Sequence, residues 1–474
     1  MRSSTPPEST LRELRASGHV QRNVKAEIRD NLLARMRAGE DRFPGIVGFD
    51  ETVLPHLERA LLAGHDIVLL GERGQGKTRL IRTLSRLLDE WTPVVTGCEI
   101  NDHPYTPACA RCRRMLDETG DGLPISWRHR DDRYGEKLAT PDTSVGDLIG
   151  DVDPIKVAEG RTLGDPETVH YGLVPRTNRG IFSVNELPDL AERIQVALLN
   201  VLEERDIQVR GYALRLPLDV MLIASANPED YTNRGRIITP LKDRFGAEIR
   251  THYPLDLDDE LALVRQEAML RWGADAVSAA LPDHLVEVIT RFTRLVRESP
   301  AVDARSGVSA RFPIAAAETV AASAVRRAAL DGEDPPVARV CDLQSIVPTL
   351  LGKVEFEVSE EGREMDVLAH LLRRATAETY RRRLGGADLS GLLVRFEEGE
   401  SVESGELVSA AELLRRVGQV RGLATIMSRL GMDDGGETPG YAAAAMEFAL
   451  EGLYLTRRIS KDAVAGKNVY RSAQ

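Results

Sequence analysis

The stretch "GERGQGKTRL" (71–80) places glycines, a lysine and a threonine at the spacing G-x-x-x-x-G-K-T, the pattern of a phosphate-binding loop. It follows a strand-length apolar run, "DIVLL" (66–70), and continues into "TRLIRTLSRLL", which has helical periodicity. Glycines let backbone N–H groups curl around phosphate oxygens, and the following helix presents its positive end to them. The stretch therefore predicts a nucleotide-binding loop between a strand and a helix.

Two side chains of this loop have predicted roles in phosphate chemistry. Lys77 is expected to reach the β- and γ-phosphates, and the Thr78 hydroxyl is expected to ligate Mg²⁺. ATP and Mg²⁺ are thus the expected cofactors. The residues predicted to contact the nucleotide are Gly71, Glu72, Arg73, Gly74, Gln75, Gly76, Lys77 and Thr78.

A second motif, "RGIFSVNELPDL" (179–190), lies further along the chain. Where such a site splits a nucleotide, an apolar strand ends in two acidic residues: the first orders Mg²⁺ and the second polarises the attacking water. Here the pair is Asn185–Glu186. Glu186 is predicted to activate water, whereas Asn185 can accept a hydrogen bond from a metal-bound water without adding charge. The alternative interpretation is a core strand with a polar exit.

Three further side chains fit the same chemistry. Asn227 ends the apolar run "MLIASA" and is expected near the γ-phosphate or the attacking water. Arg244 lies in "LKDRF", and Arg311 lies in "SARF" at the predicted start of a helix. An arginine from outside the loop domain can neutralise the charge that develops in the transition state.

In this order, the loop, the Asn185–Glu186 pair, Asn227, L-K-D-R-F and S-A-R resemble the AAA+ ATPases. More narrowly, "FPGIVGFDE" and "GLVPRTNRGIFSVNELPDL" are similar to the ATPase subunit of magnesium chelatase and its MoxR-type relatives, over about residues 43–350. The resemblance implies an α/β fold. Its parts would be a P-loop three-layer sandwich with a parallel sheet, a small helical lid domain and a mostly helical C-terminal region.

The resemblance also implies a role for each matching residue. The adenine would lie against "IVGF", which includes Ile46 and Val47. Two family insertions, which would face a ring pore or a partner, correspond to residues 144–172 and to a β-hairpin at 205–217. The catalytic roles implied are Walker A for Lys77, Walker B for Asn185–Glu186, sensor 1 for Asn227, arginine finger toward a neighbouring subunit for Arg244, and sensor 2 for Arg311.

The alternation of strand-like and helix-like segments predicts how the chain is divided. Short apolar segments alternate with helical ones up to about residue 255, which is typical of a parallel sheet covered by helices. Beyond that point the pattern is mostly helical. The predicted parts are an N-terminal helical extension (1–42), the ATP-binding domain (43–255), the helical lid (256–353) and a C-terminal region (354–474).

A cysteine-rich stretch, "GCEINDHPYTPACARC", predicts a possible metal site. Cys109 and Cys112 have the C-x-x-C spacing of a zinc knuckle, and Cys98 and His103 are the candidates that would complete a tetrahedron. His129 is an alternative fourth ligand. The competing interpretation is a set of reduced thiols in a surface insertion.

Composition restricts the setting in which this chemistry takes place. The chain has 474 residues, a net charge of −12, four cysteines and 5% aromatic residues. The negative charge and the scarcity of aromatic side chains argue against nucleic acid as a partner. No apolar run approaches the roughly 18 residues that span a bilayer, and the start lacks the apolar stretch of a signal peptide. Few cysteines in a long chain indicate the reducing cytoplasm.

These features lead to a hypothesis with several alternatives. The expected function is ATP hydrolysis in a homo-oligomeric ring, a hexamer, that remodels a partner protein. The resemblance implies a partner with a von Willebrand factor A domain, in metal or cofactor insertion or complex assembly. One alternative is the motor subunit of a true magnesium chelatase. Another is a hydrolysis-impaired, ATP-dependent scaffold, to which only Asn185 points. A sigma-factor activator would require a G-A-F-T-G-A loop, which the sequence lacks.

Overall fold

The computed structural model describes residues 4–473, apart from residues 154, 156–157, 159–167, 205–206, 210–211, 215, 229–235, 273–276, 304–306, 419, 433–437 and 465. The chain divides into two compact units, Met1–His252 and Tyr253–Gln474. The first unit contains two apolar clusters and the second unit contains one. Among the described residues, no helix combines the length and the apolar character that crossing a bilayer requires.

The first unit is built from alternating strands and helices. Its strands are β1 (Ile67–Leu70), β2 (Trp91–Val95), β3 (Ile125–His129), β4 (Tyr134–Leu138), β5 (Gly150–Val152), β6 (Val169–Tyr171), β7 (Gly180–Asn185), β8 (Ile207–Val209), β9 (Tyr212–Leu214), β10 (Val220–Ala226) and β11 (Ala247–Arg250). Its helices are α1 (Leu11–Ala16), α2 (Val24–Ala38), α3 (Val53–Ala63), α4 (Lys77–Thr83), α5 (Ala110–Thr119), α6 (Val145–Leu148), α7 (Leu173–Arg176), α8 (Glu192–Glu204) and α9 (Thr239–Arg244).

Five of these strands form the central sheet, in the order β11-β1-β10-β7-β4. Every neighbouring pair in it is parallel. Strands β1, β7 and β10 are buried along their whole length, as expected when helices cover both faces of a parallel sheet. The predicted three-layer α/β sandwich with a parallel sheet is therefore confirmed.

Alternation along β1 shows how the two outer layers arise. Ile67 and Leu69 belong to the apolar cluster formed with α2, α3 and α4, whereas Val68 and Leu70 belong to the cluster on the opposite face. Because successive strand side chains point to opposite faces, one apolar strand contributes side chains to two apolar clusters. The sheet is thereby fixed between two helical layers, and its carboxyl edge carries the loops described below.

Strand β1 leads along the chain to β4 on one side of it, whereas its neighbour β10 leads to β11 on the other side, so the connections from these two adjacent strands run in opposite directions. In open α/β sheets, ligands bind outside the carboxyl ends of the strands at such a point. The loop 71–76 leaves β1 at this edge, and Asn227 follows β10. Glu186 follows β7, the next strand along the sheet. The topology thus gathers three separate sequence motifs at one edge.

Both family insertions predicted from the sequence fall partly on described residues. Strands β8 and β9 pair antiparallel with Ile207 opposite Leu214, so a hairpin is present where it was predicted. Within 144–172, α6 is followed by the antiparallel pair β5–β6. The middle of that insertion lies outside the described residues.

The second unit is mostly helical. Its helices are α10 (Leu257–Glu267), α11 (Asp283–Arg297), α12 (Arg311–Asp331), α13 (Ile346–Leu350), α14 (Glu364–Leu384), α15 (Ser390–Glu397), α16 (Ala410–Val417), α17 (Leu423–Arg429) and α18 (Pro439–Leu455). Its strands are β12 (Arg271–Trp272), β13 (Val277–Ser278), β14 (Val402–Ser404), β15 (Ile459–Val464) and β16 (Lys467–Ser472).

One continuous apolar cluster runs through this unit, from Leu261 to Tyr470. Helix α18 lies within it, since its residues 443–450 are all buried. An ion pair between Arg339 and Glu447, 3.1 Å apart and both buried, also crosses from the predicted lid range to the predicted C-terminal range. The ranges 256–353 and 354–474 therefore share a core, and the boundary between them stays a prediction.

Candidate nucleotide-binding site

The loop between β1 and α4 has a backbone that depends on glycine. The Gly71 N–H donates to the carbonyl oxygen of Ala226 over 3.1 Å, which fastens the loop to the end of β10. A Cβ on Gly71 would lie 2.0 Å from the hydroxyl oxygen of Thr251 and 2.2 Å from Gln75 Oε1, so a larger residue would displace both side chains. Gly76, at φ 77°, turns the chain into α4 through the left-handed region.

Lys77 is the most enclosed cation of this loop. Its side chain is buried, and its Nζ donates to the carbonyl oxygen of Gly71, to that of Glu72 over 2.8 Å, and to Asn227 Oδ1 over 2.9 Å. These hydrogen bonds hold a buried positive charge beside the backbone that would receive phosphates. This arrangement presents a fixed cation to an anionic ligand.

Asn227 connects that lysine to Glu186. The Asn227 Nδ2 donates to Glu186 Oε2 over 2.7 Å, while its Oδ1 accepts from Lys77. Glu186 itself has φ 56° and ψ 47°, a left-handed conformation that a residue with a side chain seldom adopts. Such strain is characteristic of functional positions, where the surrounding structure enforces it. The structure therefore brings Lys77, Asn227 and Glu186 into one hydrogen-bonded series.

Asn185 has both ends of its amide engaged by protein. Its Oδ1 accepts from the Ser225 hydroxyl over 3.1 Å, and its Nδ2 donates to Glu136 Oε1 over 2.6 Å. Glu136 lies on β4, which pairs with β7 so that Leu138 is opposite Asn185. A carboxylate thus stands next to the position where the motif lacks one.

Hydrogen bonds from neighbouring side chains stabilise the ionised form of Glu136. Its carboxylate accepts from Arg82 Nε at 2.8 Å and from the Tyr134 hydroxyl at 3.1 Å. Burial alone would raise its pKa, but the hydrogen bonds from Arg82, Tyr134 and Asn185 bring the pKa below the ordinary value. Glu136 is consequently ionised at neutral pH. Sequence reasoning missed this residue, since "YGEKL" carries no motif and only strand pairing brings it to Asn185.

The remaining residues predicted at the site lie around it in different ways. Thr78 is half-buried in the first turn of α4. Ile46 and Val47 are half-buried between Phe43 and Phe49, which are both buried in the cluster that contains α3. Ile46 packs against that same cluster. The other predicted loop residues lie between β1 and α4: Glu72, Arg73, Gly74 and Gln75.

The two predicted arginines lie in different units. Arg244 ends α9, pairs with Glu203 at 2.6 Å and with Asp243 at 3.2 Å, and has a side chain that is 43% exposed. Arg311 is exposed at the start of α12 in the second unit. Its backbone N–H donates to the Ser309 hydroxyl over 3.1 Å. Both guanidinium groups are therefore at surfaces of their own units.

The three cysteines predicted as metal ligands lie together, with a different fourth residue. Possible ligand atoms of Cys98, Asp102, Cys109 and Cys112 are all within 4.8 Å of one another. His103 is not in this group: its Nε2 is 3.3 Å from His19 Nε2, and its Nδ1 accepts from the Tyr105 N–H. The predicted ligand His103 is thus replaced by its neighbour Asp102.

His129, the alternative fourth ligand, is likewise outside the cysteine group. It ends β3, and its Nε2 lies 3.7 Å from Glu90. The register of the β2–β3 pair explains the separation, because His129 is opposite Trp91 whereas the cysteine-rich connection begins beyond the other end, where Val95 is opposite Ile125. His129 thus lies at the end of the strand pair that is remote from the connection carrying the thiols.

Comparison with known proteins finds one matching family model and several sequence relatives. Residues 161–244 match the family model described as the Sigma-54 interaction domain. The chain is 31% identical over 230 residues to the magnesium-chelatase 38 kDa subunit of Acidiphilium rubrum, covering 47% of this chain and 62% of that one. It is 29% identical over 221 residues to magnesium-chelatase subunit ChlI of Nostoc sp., covering 44% and 54%. The matches therefore span only part of these relatives.

Matches among solved structures include a putative ATPase from Cytophaga hutchinsonii. It is 15% identical, with a TM-score of 0.31, and the match covers 76% of this chain and 98% of that one. Another is a model of the complex between subunits BchI and BchD of magnesium chelatase, at 22% identity and a TM-score of 0.36, covering 68% and 98%.

A parallel sheet of order β11-β1-β10-β7-β4, with a phosphate-binding loop after its central strand and polar residues after the next two, is the fold of the P-loop AAA+ ATPases. The predicted fold class is confirmed. The sequence relatives named above are magnesium-chelatase subunits, in agreement with the resemblance. AAA+ ATPases use ATP with Mg²⁺, which are the cofactors that this relationship implies.

Proposed function

We propose that this protein hydrolyses ATP to ADP and phosphate and uses the released energy to remodel a partner protein. The observation that carries the proposal is the series Lys77–Asn227–Glu186, with hydrogen bonds of 2.9 and 2.7 Å. It joins the residue suited to bind phosphate to the carboxylate suited to activate water. A binding-only protein has no need of that connection.

In the proposed reaction each side chain has a distinct task. Lys77 binds the β- and γ-phosphates of the substrate ATP, and Asn227 orients both Lys77 and Glu186. The Glu186 carboxylate takes a proton from the attacking water, the new bond forms between that oxygen and the γ-phosphorus, and the bond to the β-γ bridging oxygen breaks. The strained backbone of Glu186 fixes the direction of its side chain.

The oxygen donors at the site suit Mg²⁺, which prefers carboxylate and hydroxyl oxygen. Thr78 and Glu136 would hold the ion together with the phosphates, and Asn185 would orient Glu136 through their 2.6 Å hydrogen bond. When bound, Mg²⁺ neutralises part of the charge on the transferring phosphoryl group. In this proposal Glu136 supplies the negative charge that Asn185 lacks.

The assembly that we propose is a homo-oligomeric ring, a hexamer, in which Arg244 reaches the ATP of a neighbouring subunit. Its position at the end of α9, 43% exposed and held by Glu203, supports a role at an interface. Arg311 is proposed to act as a second sensor. The hairpin β8–β9 supports engagement of a protein partner, and a partner with a von Willebrand factor A domain follows from the family resemblance. The four free cysteines fit the cytoplasm.

A second candidate function is the motor subunit of a magnesium chelatase. What favours it is the 31% identity to a protein of that name. The two proposals differ in the client and share the ATPase step. Magnesium insertion into a porphyrin, measured in a mixture with the other chelatase subunits, would separate them: insertion that depends on this chain and on ATP supports the second candidate.

The direct test is phosphate release by the purified full chain with ATP, with and without Mg²⁺. We expect Mg²⁺-dependent release by the wild type and none above background by Glu186→Gln. ATP binding by both proteins, measured with a fluorescent analogue, controls for folding. Binding without release by the wild type, at any protein concentration, would contradict the proposal and favour a scaffold.

A further inference from the structure

We propose that Cys98, Asp102, Cys109 and Cys112 bind one structural zinc ion. These residues lie in the connection between β2 and β3. The inference is independent of the ATPase proposal, because the residues of the two sites are different. It rests on four features: the spacing of the ligand atoms, the hydrogen bonds around the thiols, the environment of Asp102 and the docking of the chain on this connection.

The four ligand atoms are already close enough for one ion. They lie within 4.8 Å of one another. Zinc–sulfur bonds of about 2.3 Å in a tetrahedron require sulfur atoms about 3.8 Å apart. A contraction of about 1 Å, within reach of side-chain rotation, would therefore complete the coordination. Cysteine and carboxylate are both established zinc ligands, and the thiolates favour zinc over Mg²⁺ or Ca²⁺.

Backbone N–H groups point at two of the sulfur atoms. The Cys112 N–H donates to Cys109 Sγ over 3.3 Å, and the Asp102 N–H donates to Cys98 Sγ over 3.3 Å. Cys109 is the N-cap of α5 and Cys112 is in its first turn, so both sulfurs lie at the positive end of a helix. Both features place positive polarity beside the sulfur atoms, and hydrogen bonds of this kind orient metal ligands.

Asp102 is the second, independent observation. Its side chain is 1% exposed. One carboxylate oxygen, Oδ2, accepts from the Cys109 N–H over 2.8 Å. The other, Oδ1, is buried and has no hydrogen-bond partner among the described residues. A buried carboxylate oxygen is costly to leave unsatisfied, and a cation between it and the thiols would satisfy it.

A disulfide is the competing explanation for clustered cysteines. All four cysteines are free in the structure. A disulfide would use two of the three clustered sulfurs and would leave the third, together with Asp102, without a partner. A metal ion uses all four ligands. On binding, the thiols lose their protons to solvent and each sulfur forms a bond to zinc, with no change in oxidation state.

The connection that carries these ligands is also the surface on which the start of the chain docks. The Leu11 N–H donates to the carbonyl oxygen of Leu123 over 3.0 Å, and the Ile125 N–H donates to that of Ser9 over 2.9 Å. The Tyr105 hydroxyl donates to the carbonyl oxygen of Leu14 over 3.3 Å. Helix α1 therefore packs against the connection between β2 and β3, in which α5 is the one α-helix described. Zinc would stabilise the conformation of that connection.

The test begins with the full-length chain purified without chelators. We expect about one zinc ion per chain by inductively coupled plasma mass spectrometry. The variants Cys112→Ser and Asp102→Ala should lose most of the bound zinc. Two matched controls should retain it: Cys341→Ser, which removes a buried cysteine in the second unit, and His103→Gln, which removes the histidine beside Asp102.

A measurement on the wild type covers the case in which a variant fails to fold. Cobalt(II) exchanged into the protein should give the sulfur-to-cobalt charge-transfer absorption of thiolate coordination and tetrahedral d–d bands. Thiol modification should release the metal, followed with a chromogenic chelator. If the protein is isolated without zinc and takes up neither zinc nor cobalt, the proposal is overturned. A disulfide among the three cysteines would overturn it as well. Loss of zinc in His103→Gln but not in Asp102→Ala overturns the ligand set.

Discussion

Asn227 donates a hydrogen bond to the catalytic candidate Glu186 over 2.7 Å while it accepts one from Lys77 over 2.9 Å. A single amide is therefore hydrogen-bonded both to the cation that would bind phosphate and to the carboxylate that would activate water. Because an amide has both a donor and an acceptor, no carboxylate or aliphatic side chain can replace it in this position. We therefore expect a nucleotide in the loop to affect the orientation of Glu186 through Asn227.

Replacing Lys77 with alanine should abolish tight ATP binding. The change removes the cation whose Nζ lies 2.8 Å from the carbonyl oxygen of Glu72. Charge-assisted contacts of this kind contribute enough to weaken ATP affinity by about 100-fold. Isothermal titration calorimetry measures the affinity, and Lys353→Ala, an exposed lysine of the second unit, is the matched control. Unchanged affinity in Lys77→Ala would argue against the phosphate-binding role of the loop.

Glu186→Gln should bind ATP with near-normal affinity and hydrolyse it at least about 100-fold more slowly, since general-base catalysis contributes factors of that size. The glutamine oxygen can still accept the hydrogen bond from Asn227, so the network is conserved and only the base is lost. Single-turnover phosphate release is the measurement. Wild-type turnover in this variant would exclude Glu186 as the base.

Exchange of the carboxylate between Asn185 and Glu136 tests how the site holds Mg²⁺. We expect Glu136→Gln to raise the Mg²⁺ concentration for half-maximal hydrolysis by about tenfold, because supporting ligands commonly contribute factors of 10 to 100. Asn185→Asp alone should not increase the rate of hydrolysis. Its carboxylate would be repelled by that of Glu136, whose Oε1 lies 2.6 Å from Asn185 Nδ2.

The double variant Glu136→Gln/Asn185→Asp should recover most of the lost Mg²⁺ affinity, because one carboxylate is again present. Glu118→Gln, an exposed glutamate on α5, is the control. A rate gain from Asn185→Asp together with normal Mg²⁺ dependence in Glu136→Gln would show that Glu136 is structural.

Arg244→Ala should bind ATP normally and lose about 10³-fold in hydrolysis, the effect of an arginine finger. The exposed Arg250, on β11, provides the control Arg250→Ala. In mixed assemblies, inactive Arg244→Ala and inactive Lys77→Ala subunits should restore part of the activity, because some interfaces combine an intact loop with an intact arginine. Silent mixtures whose composition is verified by native mass spectrometry would refute action on a neighbouring subunit.

Local sequence was enough to predict that a loop follows β1 and that polar residues follow β7 and β10, because each of these motifs contains its own strand and turn. It was insufficient for Glu136, which reaches Asn185 only through the parallel pairing of β4 with β7. It was also insufficient for the fourth member of the cysteine group. Asn101, just before the two candidates, has φ 57°, and it is Asp102 and not His103 that lies among the thiols. A conformation of that kind leaves no mark in residue spacing.

The ion pair of Arg339 with Glu447 has a consequence for how the second unit can be cut. If the chain ended near residue 353, a guanidinium that is now fully enclosed would lose its carboxylate, and the apolar faces that helices α14 and α18 cover would meet water. The last quarter of the protein is therefore part of the folded second unit and cannot be removed without disrupting it. It completes the interior of the helices before it, so the whole unit should unfold in a single cooperative transition and resist limited proteolysis until it does.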